Sequence, residues 1–151
     1  MGRLITKDGL RKLQEEIRHR KTTLRHEIAG AIKEAKEQGD LSENAEYAEA
    51  KHQQNENENR IAALEVMIKE AEVVEHDTSV IGIQLGSRVK VKFNGSEMEF
   101  QIVGSNEADP ANLKISNESP MGRAFMGHMK DDSVDVQTPV GRKRYKILDV
   151  T

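Results

Sequence analysis

Asp40 and Glu43 stand three residues apart in the segment Gly39-Asp40-Leu41-Ser42-Glu43-Asn44-Ala45-Glu46-Tyr47. With reference pKa values of about 3.9 and 4.3, both carboxyls are ionised near neutral pH. Two such carboxylates can share one hard cation such as Mg²⁺. The same spacing is an acidic variant of the capping box that opens a helix, and caps are far commoner than metal sites. Two ligands alone also hold Mg²⁺ poorly. The spacing therefore leaves two readings open: a helix cap, or part of a metal site whose other ligands come from elsewhere.

A second feature is basic. Arg11, Arg18 and Arg25 recur every seven residues, with Lys21 between the last two. Helical geometry puts them on one face, where they can neutralise phosphates or form pairs with acids one turn away. The remaining candidates carry less. His19, His26, His52, His76 and His128 lack metal-ligand spacing, and no phosphate loop, dinucleotide fingerprint or nucleophile elbow is present. Met121, Phe125 and Met126 read as core or interface.

The elements that position these residues follow from periodicity. Thr6 is placed to cap a helix beginning near Lys7. Leu10, Leu13, Ile17, Leu24, Ile28, Ala31 and Ala35 recur at helical spacing, interrupted by Arg20. Gly39 ends this helix. A second helix starts near Glu43, with the seam Tyr47, Ala50, Gln54, Asn57, Ile61, Leu64, Ile68 and Ala71. Two seams joined by a short turn predict an antiparallel coiled-coil hairpin, with Tyr47 near Ala35, Gln54 near Ile28 and Leu64 near Ile17. Alanines thin its tip. Gly30, which costs about 1 kcal/mol relative to alanine, and the tract from Gln53 to Asn59 make its middle locally soft. Past His76-Asp77-Thr78 the period changes to two. Arg88 to Phe93 and Glu97 to Val103 read as strands around an Asn94-Gly95 turn. Lys114-Ile115, Val134 to Val136 and Tyr145 to Val150 are further strands, and Pro120 to Gly127 a short helix. The expected class is α+β: a hairpin over residues 1–77 and a small, mainly antiparallel sheet domain over residues 78–151.

Composition agrees. In 151 residues, 32% are charged and only 3% aromatic, which suits a long charged rod beside a small packed domain. The net charge of −3 hides an asymmetry: residues 1–26 are basic and residues 27–58 acidic. The absence of cysteine excludes disulfides and thiolate zinc sites and fits a reducing cytoplasm. No apolar run is long enough for a membrane span.

The tip segment resembles the signature of the GreA/GreB family of transcript-cleavage factors. So do Ile5-Thr6-Lys7-Asp8-Gly9 with Leu13 and Glu15-Glu16, Arg60-Ile61 with Leu64-Glu65, and Ser119-Pro120-Met121-Gly122-Arg123-Ala124 with Gly127 and Thr138-Pro139. Asp131-Asp132 stands where a Gly-Asp pair is common in that family. The resemblance implies a coiled-coil N-terminal domain and an FKBP-like C-terminal domain. It implies docking at the rim of the RNA polymerase secondary channel, with the hairpin inside the channel and its acidic tip helping to hold a second Mg²⁺ and a water for hydrolysis of backtracked RNA. On that reading Asp40 and Glu43 are the catalytic carboxylates and the metal ligands, within the polymerase complex only. Ser42 and Asn44 shape the tip, and Arg18, Lys21 and Arg25 bind the nascent RNA near its 3′ end. The protein is then a monomeric part lent to the polymerase rather than a complete enzyme.

A thin acidic tip offers little apolar area, so polymerase affinity falls to the C-terminal domain. There Pro120 and Met121 present apolar groups beside glycine. The alternatives are a channel-binding regulator without cleavage activity, for which the tip acids discriminate, and a structural adaptor, which would need an apolar tip or a multimerising seam.

Overall fold

The computed structural model describes residues 2–39 and 44–151. They form two compact units, Arg11–Glu70 and Met1–Leu10 with Ala71–Thr151. Helix α1 (Lys7–His19) runs into a π-helical turn, Arg20–Leu24, and then into α2 (Arg25–Glu37). The returning arm is one helix, α3 (Ala45–Glu70). Leu13, Ile28 and Ala35 of the first arm and Ala50, Asn57, Ile61 and Leu64 of the second are buried between the arms.

In the first arm the seam departs from its expected form at one place. Ala31 is exposed and Ile32 is half-buried in its stead. The π turn explains this. Its hydrogen bonds span one residue more than α-helical ones, so every position beyond it is set back by one. Continuing the α1 pattern through Leu24 would bring residues 27, 31 and 34 to the seam; one extra residue makes them Ile28, Ile32 and Ala35. The asparagine-rich tract is likewise no gap. Asn57 is 2% exposed, donates Nδ2 to the Arg20 carbonyl at 3.1 Å and accepts from the Arg20 guanidinium at 3.2 Å. Arg20 also donates to Glu16, which Arg60 of α3 grips with two bonds of 2.9 Å. Arg20, which interrupts the apolar stripe, thus belongs to a polar cross-link between the arms.

The expected helical position of Ala71 is a correction: α3 stops at Glu70, and Ala71–Val73 is a strand (β2) paired in parallel with β1 (Arg3–Ile5). In the same unit, Thr6 caps α1 as expected, its Oγ1 accepting from Gly9 N at 3.0 Å. The cap has a partner from far along the chain. Glu107 accepts from Thr6 N and Thr6 Oγ1 at 2.6 Å each and from Gly104 N at 3.3 Å. A side chain at Gly9 would overlap the Glu107 carboxylate.

The main sheet has the order β5-β4-β3-β7-β6, comprising β3 (Arg88–Phe93), β4 (Ser96–Val103), β5 (Lys114–Ser116), β6 (Ser133–Thr138) and β7 (Gly141–Val150). Its pairings are antiparallel except β4 with β5, which is parallel. Asn94 and Gly95 both take positive φ, 50° and 78°, the geometry of the tight turn their sequence predicts. Alternation puts Val89, Val91, Phe100, Ile102, Val134, Val136, Tyr145 and Ile147 on the buried face with Ile83 and Leu85. Helix α4 (Pro120–Phe125) covers them, and Phe125 packs edge-on against Phe100 and Tyr145. Asp131 holds φ 74°, a left-handed conformation that glycine adopts at least cost.

Candidate functional site

Asp40, Ser42 and Glu43 lie outside the described residues, so the structure speaks to the acidic turn through its flanks. On one side, α2 ends at Glu37 and Gly39 takes φ 116°. On the other, Asn44 is the N-cap of α3. Its Oδ1 accepts from Tyr47 N at 3.1 Å, and its carbonyl accepts the first helical bond, from Ala48 N. Its Nδ2 donates to the Ala35 carbonyl at 2.7 Å. One side chain thus satisfies an orphan donor of α3 and adds a second bond to the Ala35 carbonyl, which also accepts from Gln38 N at 3.2 Å, tying the two flanks together. This bears on the capping alternative. The helix end that Asp40-x-x-Glu43 would have served is already capped by Asn44. Glu34, Glu37, Glu46 and Glu49 are exposed on these flanks, with Lys33 and Lys36 exposed beside the first two. Among the described residues, no three acidic or histidine side chains converge as a metal site.

The basic residues are not laid out as a bare stripe. Lys21 pairs with Glu65 at 2.9 Å. Arg25 clasps Glu58 with bonds of 2.9 and 2.7 Å, which hold the Glu58 carboxyl below its usual pKa. Arg18 is exposed, with no ion pair among the described residues. The expectation that Arg11, Arg18 and Arg25 share one face fails for Arg25. It lies beyond the π turn, which rotates it by about one residue, or about 100°. What Lys21 and Arg25 share is the flank facing Glu58 and Glu65, themselves two helical turns apart.

In the sheet domain, Ser119 caps α4, its Oγ accepting from Gly122 N at 3.0 Å. Pro120 occupies the first turn and is exposed, while Met121 is half-buried against the core. Both line an apolar groove of about 330 Å³ with Ile115, Val136, Pro139 and Tyr145 among its walls. Gly122 is required here because a side chain would overlap the Ser116 carbonyl. The groove was not foreseen from sequence, although Thr138-Pro139 and Ser119-Pro120 flank it. Among the described residues, no helix is long and apolar enough to cross a membrane.

Comparison with known proteins covers nearly the whole chain. Residues 3–73 match the family model described as transcription elongation factor, N-terminal, and residues 79–151 the one described as transcription elongation factor, GreA/GreB, C-term. Transcription elongation factor GreA of Thermoanaerobacter pseudethanolicus is 47% identical over 150 residues, covering 97% of this chain and 96% of that protein. The protein of the same name from Clostridium acetobutylicum is 48% identical over 151 residues, covering 97% and 95%. Among solved structures, GreA factor homolog 1 (Gfh1) of Thermus thermophilus aligns at 27% identity with a TM-score of 0.45, covering 100% of this chain and 99% of that one. A relatedness that spans both units at this identity leaves one conclusion: the chain belongs to the GreA/GreB family of transcription elongation factors.

Proposed function

We propose that this elongation factor enters the secondary channel of RNA polymerase and stimulates the polymerase's own cleavage of backtracked RNA, with Asp40 and Glu43 as the working carboxylates. The observation that carries the reading is family membership across both units combined with an intact Gly39–Tyr47 tip segment.

The donor set fits Mg²⁺ in kind. Carboxylates are hard oxygen ligands, and Mg²⁺ is commonly held by one or two of them, with waters and substrate phosphates completing the shell. Asp40 and Glu43 would hold the ion only beside the polymerase's own ligands and the RNA. Bound there, it would supply Lewis-acid stabilisation of the attacking and leaving oxygens. This chain's own contribution is positional: Asn44 holds the flanks of the turn together, and the paired arms carry it. The exposed Arg18, with Lys21 and Arg25, would attract extruded RNA, although the last two must exchange Glu65 and Glu58 for phosphate. The groove beside Pro120 and Met121 is the surface assigned to polymerase docking, since it is apolar where the tip is charged. The factor is then a part of a catalytic site completed by its partner. The test is incubation with a stalled, backtracked elongation complex. Shortened RNA that the polymerase re-extends supports the reading, and unchanged RNA with a bound factor supports a channel regulator instead.

A further inference from the structure

The two arms of the hairpin do not have equal lengths. Seven seam positions run from Leu13 to Ala35 through Ile17, Arg20, Leu24, Ile28 and Ile32, and seven run from Tyr47 to Ile68 through Ala50, Gln54, Asn57, Ile61 and Leu64. The first set spans 22 residue steps and the second 21, three regular heptads. One surplus residue must be absorbed somewhere in the first arm, and the π turn at Arg20–Leu24 absorbs it. Nothing in helix geometry fixes that place, because a one-residue bulge can sit anywhere along a helix at similar backbone cost.

Asn57 supplies the missing constraint. In an α-helix the Arg20 carbonyl would accept the Leu24 N–H. In the π turn it accepts the Arg25 N–H instead, and Asn57 Nδ2 bonds the same oxygen from the facing arm. The other end of the Asn57 amide accepts from the Arg20 guanidinium, which also donates to Glu16, itself gripped by Arg60. A buried asparagine in a seam is a known means of fixing register at some cost in stability. We propose that Asn57 is a positioning residue: it pins the surplus residue at positions 20–24 and so sets the rotational phase of the arm that leads into the acidic turn. The claim about cleavage rests on the function proposed above; the pinning itself does not.

If the pin is removed, the surplus can migrate toward the tip. Each residue it passes turns by about 100° and slides by about 1.5 Å relative to α3. Misplacement on that scale slows a positioned reaction by about tenfold or more. The experiment uses the full chain with nitroxide labels on Lys33→Cys and His52→Cys, exposed positions on facing arms in a protein with no other cysteine. Wild type is expected to give one inter-label distance. Asn57→Leu is expected to split or broaden it and to slow RNA cleavage without lowering stability. Deleting Thr23 from the Asn57→Leu protein makes the arms equal, and is expected to restore one distance and near wild-type cleavage. That rescue separates positioning from loss of packing. Asn57→Ala, which adds no bulk, serves if the leucine variant does not fold. A single wild-type distance in the Asn57 variants, or no recovery on deleting Thr23, overturns the proposal. If wild type itself does not cleave, the proposed function falls while the label distances still decide the pinning.

Discussion

Glu16 is the carboxylate on which the two arms most depend, and its replacement by glutamine puts a number on the cross-link. Two bonds of 2.9 Å from Arg60 and one of 2.7 Å from Arg20 converge on it. Chiefly through the Arg60 bonds, its pKa falls from 4.5 to about 2. At about 1.4 kcal/mol per unit, that shift caps its contribution near ~3 kcal/mol. Glu16 and Arg60 are 31% and 39% exposed, so solvent screening reduces the expected value to about 1–2 kcal/mol. A depressed carboxyl stabilises fully above its unfolded pKa, and the benefit is lost as pH falls toward the folded one. Urea unfolding of wild type and Glu16→Gln, followed by far-UV circular dichroism, should therefore differ by that amount near neutral pH. The gap should narrow to less than about half by about pH 3, within the window from 4.5 down to about 2. Equal stability near neutral pH, or a gap that stays constant into acid, would refute the reasoning.

Glu107→Ala removes the acceptor for Thr6 N, Thr6 Oγ1 and Gly104 N; it should cost about 1–3 kcal/mol in the same unfolding assay. Reversing Arg18, Lys21 and Arg25 to glutamate should weaken action on long backtracked transcripts, most visibly at low salt. Because it also sets like charges beside Glu58 and Glu65, a companion protein with those two changed to lysine should recover hairpin stability while the RNA defect persists; recovery of both would reduce the basic residues to structural ion pairs. Pro120→Asp places a charge on the apolar groove and should weaken polymerase binding in a competition assay by about tenfold or more, with the fold intact by circular dichroism.

Strands β3 and β4 and their turn were legible because alternation and Asn94-Gly95 are local signals with one geometric meaning. The hairpin was legible because two seams meet across a short turn. What escaped was set by pairing at a distance. Residues 31 and 32 cannot be ranked without knowing that the facing arm is one residue shorter. Asn57 looks like a weak seam residue until the Arg20 carbonyl is placed opposite it. Strands β1 and β2 are three residues each, too short to show a period. Glu107 meets Thr6 across 101 positions of sequence. At the tip, the acids were found by motif, but the residue that caps α3 was not, because it depends on where that helix begins. Asn44, named as a tip-shaping residue, is that cap.

The central claim is tested most directly by Asp40→Ala, Glu43→Ala and their combination, added to a stalled, backtracked elongation complex under conditions where binding is measured alongside RNA length. Each single change is expected to slow stimulated cleavage more than about tenfold, at least ~2 kcal/mol of transition-state stabilisation. Polymerase binding and helix content should stay at wild-type levels. Wild-type cleavage by the folded double variant would contradict the account.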